Sequence, residues 1–217
     1  MNRNKMKKFL ISSITLVFVC IGVSAQQEDL RKVAERYKTV NTLITDVTQT
    51  RHNVALTKDI VTKGHFYYKG PNCQSMVFKS SREMLLAKDN TFVMVKDGKQ
   101  HTTKAKGLGN NPFETLRDVF RNLLSTNDNA ALTDAADVKF AKQGNTCTIT
   151  ITPTVATSKA KRRMMFTSCV ATIDLTAGEL RSLRINEPSG NYTQYDLSNY
   201  VFNIEVSNSV FDTQIVM

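Results

Sequence analysis

The feature that most constrains this chain is a series of short segments in which apolar residues recur at every second position, with turn-forming residues between them. The first candidates are Leu43–Arg51, Val61–Tyr68, Cys73–Lys79, Met84–Lys88 and Phe92–Lys96. Their period is that of half-buried strands. Lys69-Gly70-Pro71-Asn72 reads as a turn, because Gly and Pro supply its backbone angles. Asp89-Asn90 and Asp97-Gly98 are short hairpin signals. Strands resume at Val138–Lys142, Thr146–Thr152, Met164–Leu175, Leu180–Glu187 and Tyr192–Tyr200, with a further candidate at Val201–Val206. Thr146–Thr152 alternates cleanly, with Cys147, Ile149 and Ile151 on one face and three threonines on the other. Strands joined by such short turns meander, so the sheet is expected to be antiparallel.

Two stretches have helical spacing instead. Leu30, Val33, Ala34, Tyr37 and Val40 place a first helix over Glu28 to about Val40. Asn111 is a good N-cap, Pro112 fits the first helical position, and Glu114 stands where a capping box wants an acid. Phe113, Leu116, Phe120 and Leu123 then form an apolar stripe, widened by Val119 and Leu124, in a helix ending near Ser125. The fold class is therefore mainly β (α+β): one large antiparallel sheet that must hide an apolar face. The Phe113–Leu124 helix is the obvious cover.

The first 25 residues have a different character. Arg3, Lys5, Lys7 and Lys8 precede an apolar run from Phe9 to Val23, which exits through Val23-Ser24-Ala25. That is the pattern of a cleavable secretory signal, and the run is shorter than the ~20 residues of a spanning helix. Cys20 follows Val19 and lacks the small residue that a lipoprotein signal places before its cysteine. The expected division is a signal peptide over 1–25 and one domain over 26–217, long enough for a real core. Without the four signal cations, 25 Lys+Arg stand against 19 Asp+Glu, a net charge of +6. This favours an anionic partner only weakly. Three cysteines remain, Cys73, Cys147 and Cys169. Cys147 and Cys169 fall roughly opposite each other in a hairpin centred near Ser158. They read either as a disulfide or as two small core hydrophobes.

Motifs for chemistry are missing. His52, His65 and His101 show no metal-ligand spacing, and there is no G-x-S-x-G elbow or carboxylate pair. Gly107-Leu108-Gly109 before a helix resembles a phosphate loop, but the third Gly is replaced by Pro112 and no βαβ unit surrounds it. No catalytic residue, metal or cofactor is expected. Lys159, Lys161, Arg162 and Arg163 form the strongest charge run, either a solvated turn or a site for an anionic headgroup. Nucleic acid is not expected, since no basic strip carries stacking aromatics. Apolar side chains are more telling. Met76, Phe78, Met84, Leu86, Phe92, Met94, Met164, Met165 and Phe166 either fill the core or line an adaptable apolar cavity.

The order of elements carries a resemblance. One helix is followed by a strand ending near Thr48-Gln49, then Gly64-His65-Phe66-Tyr67-Tyr68-Lys69-Gly70-Pro71, a meander and a central helix. Glu187-Pro188-Ser189-Gly190-Asn191-Tyr192-Thr193 then leads into Leu197-Ser198-Asn199-Tyr200 and Val210-Phe211. This resembles the LolA family of periplasmic lipoprotein carriers across nearly all of the chain after residue 25. The resemblance implies an incomplete antiparallel β-barrel with a helical lid over an apolar cavity. It implies periplasmic localisation and a cavity that holds lipoprotein acyl chains or a related lipid. It also implies an inner-membrane transporter as donor, an outer-membrane acceptor, and a monomer. The family often has an Arg-Pro step where this chain has Lys69-Gly70-Pro71, so Lys69 is the candidate lid or headgroup contact. Tryptophan, which many members carry, is absent, in line with a divergent member and another lipid cargo. The implied lipid-binding residues are Met76, Phe78, Phe92, Met94 and Phe166 from the strands, with Leu116, Phe120 and Leu123 from the lid.

Three functions are distinguishable. A carrier predicts a large apolar cavity with no convergent polar groups. A periplasmic sensor or interaction domain that binds a protein partner predicts a filled core and an exposed apolar patch. An enzyme predicts titratable groups converging in a cleft.

Overall fold

The computed structural model describes residues 28–33, 35, 37–70, 73–89, 91–104, 136–154 and 164–217. The signal segment, the glycine pair 107–109, the helix expected over 111–125 and the basic run 159–163 lie outside these residues. Helical residues at 28–33, 35 and 37 open the described chain, where the first helix is expected. The first six strands are β1 (Thr42–His52), β2 (Ile60–Lys69), β3 (Cys73–Phe78), β4 (Glu83–Lys88), β5 (Thr91–Lys96) and β6 (Lys99–Lys104). Then come β7 (Ala136–Gln143), β8 (Thr146–Pro153), β9 (Ser168–Asp174), β10 (Glu179–Asn186) and β11 (Tyr192–Phe202). They form one antiparallel sheet in the order β6-β5-β4-β3-β2-β1-β11-β10-β9-β8-β7. Two meanders thus lie side by side, joined by β1 and β11. The sheet is open, with β6 and β7 at its ends, which is the incomplete barrel expected.

Three expectations need correction. β6 was not foreseen, because Lys99-Gln100-His101-Thr102-Thr103-Lys104 has no apolar alternation. It is an end strand, held by its ladder to β5, and lysines suit such a strand. Its turn was legible: Asp97 and Gly98 take φ of 52° and 69°, the left-handed pair of a type I′ hairpin. β9 starts at Ser168, not Met164. Its ladder to β10 ends at the Ser168–Asn186 pair, and Thr167 N–H closes on the Asn186 carbonyl at 2.7 Å. No separate strand covers Val201–Val206. Asn203 turns left-handed (φ 55°), and two 3-10 helices, Asn208–Phe211 and Thr213–Ile215, follow.

The sheet is covered differently on its two faces. On one, called the inner face here, Cys147, Ile149, Ile151, Cys169, Ala171, Ile173, Leu183, Ile185, Tyr195, Leu197 and Val47 form a buried cluster with Leu30, Phe78 and Phe166. Over β7–β10 the opposite face is mostly polar, with Ala141 and Val170 the exceptions. β3, β4 and β5 are apolar on both faces. Their outer side chains Val77, Met84, Leu86, Val93 and Val95 pack under Val206, Phe211 and Val216 from the C-terminal segment. Strands buried on both sides read as continuous apolar runs, which is why Met84-Leu85-Leu86 shows no alternation.

Cys147 and Cys169 are both free and buried. The register places Cys169 opposite Ile151, and Cys147 opposite Ile173. The two cysteines are thus offset by four positions, about 13 Å at ~3.3 Å per residue, beyond the reach of a disulfide. They are core hydrophobes, the second of the two readings.

Gly64 of β2 makes room for the core. A Cβ there would run into the Val77 carbonyl oxygen and lie 2.6 Å from Phe78 Cδ1. Gly64→Ala should therefore destabilise the protein by about 1–3 kcal/mol in urea unfolding. An unchanged midpoint would mean that both the Val77 carbonyl and the Phe78 ring move aside at no cost. Burial also sets a pH dependence. It pushes the Cys169 thiol from 9.0 up to about 12, and the Tyr195 phenol from 10.0 up to about 12. Both folded values are raised, so this stability is fully present below the ordinary values and is lost as pH rises toward 12. The melting temperature should fall above pH 9, and fall less steeply in Cys169→Ala. Parallel curves for the two proteins would contradict this.

Candidate functional site

Cross-strand register builds an apolar row on the inner face. Phe66 of β2 lies opposite Met76 of β3, Met76 opposite Leu85 of β4, and Leu85 opposite Met94 of β5. Directly paired residues of antiparallel strands share a face, so the four side chains line up across the sheet. All four are half-buried. Phe66, Met76 and Leu85 pack against the edge of the inner cluster. Phe92, half-buried, extends the same face one pair along β5, opposite Ala87. Thioether and aromatic groups in this setting suit irregular apolar ligands. The outer face of these strands carries the C-terminal segment, so the row belongs to the side of the sheet that is free of it.

A polar cluster borders the row. Gln49 of β1 is 3% exposed, and its Nε2 donates to the Tyr195 hydroxyl at 3.4 Å, a long bond. Its Oε1 is buried with no hydrogen-bond partner among the described residues. Arg51, two residues on, makes an ion pair with Glu83, which is buried at the start of β4. The Tyr195 phenol is held neutral chiefly by burial, with smaller opposing effects from Gln49 and Arg51. Such a pair is costly to desolvate and more costly to break. The Arg51–Glu83 pair ties β1 to β4 across β2 and β3.

The residues expected to bind lipid fall into four groups. Met76, Phe92 and Met94 lie on the inner face, half-buried. Phe78 and Phe166 are each 1% exposed and sit in the packed core, where they support the face. Lys69 lies on the other face, in step with His65 and Tyr67. Its Nζ donates to Asn208 Oδ1 at 2.8 Å, beside a cleft of about 380 Å³ lined also by Cys73, Lys88, Asp89 and Phe211. Leu116, Phe120 and Leu123 lie outside the described residues. Phe66 and Leu85, which share the row, were not among the expected residues. Phe66 was signalled by the Gly64-x-Phe66-x-Tyr68 pattern, and Leu85 was masked by its two apolar neighbours.

The histidines do not converge. His52 pairs with Asp59 at 2.8 Å and stacks on Tyr192, His65 lies 3.3 Å from Asp46, and His101 is exposed. No group of three metal-ligating side chains occurs among the described residues.

Residues 38–214 match the family model described as "Outer membrane lipoprotein carrier protein LolA". No curated protein matches the chain in sequence. Among solved structures, the chain is similar to a DUF1329 family protein from Desulfovibrio piger. Identity is 12%, TM-score 0.48, and coverage 90% of this chain and 99% of that one. It is also similar to the lipoprotein LppX of Mycobacterium tuberculosis at 12% identity, with TM-score 0.41 and coverage of 85% and 98%. A LolA superfamily protein from Nitrosomonas europaea is similar at 11% identity, with TM-score 0.40 and coverage of 86% and 96%.

The orphaned amide oxygen of Gln49 leads to a stability prediction. Gln49→Leu should stabilise the protein by about 1 kcal/mol, since an unsatisfied buried polar atom disappears and the bond given up to the Tyr195 hydroxyl is long at 3.4 Å. Urea denaturation measures this. A loss of stability instead would mean that the bond to the Tyr195 hydroxyl outweighs the orphaned oxygen.

Proposed function

The chain belongs to the LolA family, and from that premise we propose that it is a periplasmic carrier. It shelters the acyl chains of lipoproteins, or of a related lipid, against the inner face of its open sheet. The observation that supports this reading is the Phe66–Met76–Leu85–Met94 row, apolar side chains left half-buried beside a fully packed core. In the proposal, Phe92 extends the row and Leu116, Phe120 and Leu123 close over it from the lid. Phe78 and Phe166 hold the face in place from the packed core beside it. Residues 1–25 direct export and are removed. An inner-membrane transporter hands over the cargo, and an outer-membrane acceptor receives it.

The physics requires no bond making. Each methylene withdrawn from water is worth ~0.8 kcal/mol, so ten sheltered methylenes amount to about 8 kcal/mol. A lipid with several chains cannot cross an aqueous space unshielded. Methionines let the face adapt to different chains without a fixed shape, and an open sheet allows release. Nothing in this task calls for an activated nucleophile, a metal or a cofactor.

Two measurements test the reading. The protein purified from its own host should carry a co-purifying acylated species in native mass spectrometry. It should also take up a fluorescent fatty-acyl probe. Met76→Asp and Leu85→Asp should each weaken probe uptake at least tenfold, while Thr148→Asp, on the polar outer face, should leave it unchanged. A folded protein that is lipid-free and takes up no probe would overturn the carrier and favour a protein-binding domain of the same fold.

A further inference from the structure

The end of the sheet formed by the β1–β2 hairpin carries apolar side chains that the folded protein does not use. Val54 is 63% exposed, Leu56 49%, Ile60 51% and Val61 59%. Met165 is 66% exposed and belongs to the same end, because the register runs His52–Tyr192–Asn186–Ser168 across β1, β11, β10 and β9. Five large apolar side chains so exposed need an explanation.

The loop that presents them is braced. Leu56 N–H donates to the Asn53 carbonyl at 2.8 Å, and Ala55 N–H to Asn53 Oδ1 at 2.9 Å. Val54 N–H donates to Asn191 Oδ1 at 3.1 Å, tying the loop to the β10–β11 turn. The His52–Asp59 pair closes its base. These bonds hold Val54 and Leu56 toward solvent and prevent them from folding back onto the sheet.

Charge narrows the choice of partner. Lys58 and Lys63 are exposed beside the apolar residues. Asp59 Oδ1 lies 2.8 Å from His52 Nδ1 at the base of the loop, and Glu187 in the neighbouring turn is half-buried. Apolar side chains on a braced hairpin end, flanked by lysines, meet both requirements for an anionic bilayer surface. The chains enter the headgroup boundary, and the ammonium groups meet lipid phosphates. We propose that this hairpin end docks the protein reversibly on membranes rich in anionic phospholipid. The inference is independent of what the inner face carries.

The chain has no tryptophan, so a single introduced indole reports its own surroundings. Leu56→Trp should shift its emission to the blue, and be quenched by lipids spin-labelled near the headgroup, on vesicles of phosphatidylglycerol and phosphatidylcholine. Pure phosphatidylcholine vesicles should bind at least tenfold more weakly, as should Lys58→Glu/Lys63→Glu in the Leu56→Trp background on the mixed vesicles. Thr146→Trp, exposed at the other end of the sheet, should keep a water-like emission throughout. All variants alter exposed side chains, and circular dichroism checks that they fold. An unshifted Leu56→Trp would overturn the proposal, even if the protein sediments with vesicles, and so would equal shifts at both positions. The acyl-probe assay on the inner-face variants is separate, so failure of docking leaves the carrier reading standing.

Discussion

The ladder between β1 and β11 joins residues about 150 positions apart and turns two meanders into one sheet. It runs from Leu43–Phe202 to His52–Tyr192, with one irregularity between Ile44 and Asp46. Closing so long a loop costs chain entropy, and the ladder is correspondingly long. Polar clips reinforce one end of it. Asn203 N–H donates to the Thr42 carbonyl at 2.8 Å, Thr42 Oγ1 to the Ile204 carbonyl at 2.6 Å, and Asn41 N–H to Asn203 Oδ1 at 2.8 Å. Val47, Tyr195 and Leu197 place this seam inside the inner cluster, while Ile44 packs at the edge of the outer one. Both cores therefore meet at the same pair of strands.

From that seam the two halves diverge. Over β7–β10 the inner side chains are buried and the outer ones mostly polar, so this half is a one-sided sheet with its core on the inner face. Over β3–β5 the C-terminal 3-10 helices cover the outer face. That cover relieves the inner face of stabilising these strands alone. Side chains such as Met76 and Met94 are left half-buried, where a ligand can meet them. Over β3–β5 the outer face is thus closed by packing while the inner face keeps half-buried side chains.

The polar groups on the inner face show the same division. Gln49, Tyr195, Arg51 and Glu83 gather where β1, β11 and β4 approach. The ion pair reaches across β2 and β3 at the border of the apolar row. Polar groups at that depth add little net stability, but they penalise any misalignment. Their place at the border suggests a role in fixing the face that Phe66, Met76, Leu85 and Met94 share.

Much of this was legible in the order of residues. Short apolar runs between turn residues located ten of the strands, many of them through the alternation that a strand buried on one side must show, and Asp97-Gly98 marked its hairpin because few other pairs tolerate two left-handed residues. The family was legible from the Gly64–Pro71 and Glu187–Thr193 segments. What alternation could not reveal was which strands are buried on both sides, since Met84-Leu85-Leu86 reads alike whichever residue faces inward. Nor could it reveal that Lys69 faces the C-terminal segment, that Cys147 and Cys169 are out of register, or that polar β6 pairs at all. Local sequence determines the conformation of each segment through backbone sterics and side-chain period. The face a side chain occupies, and what covers it, depends on register and on contacts more than a hundred residues distant, which only the assembled sheet decides.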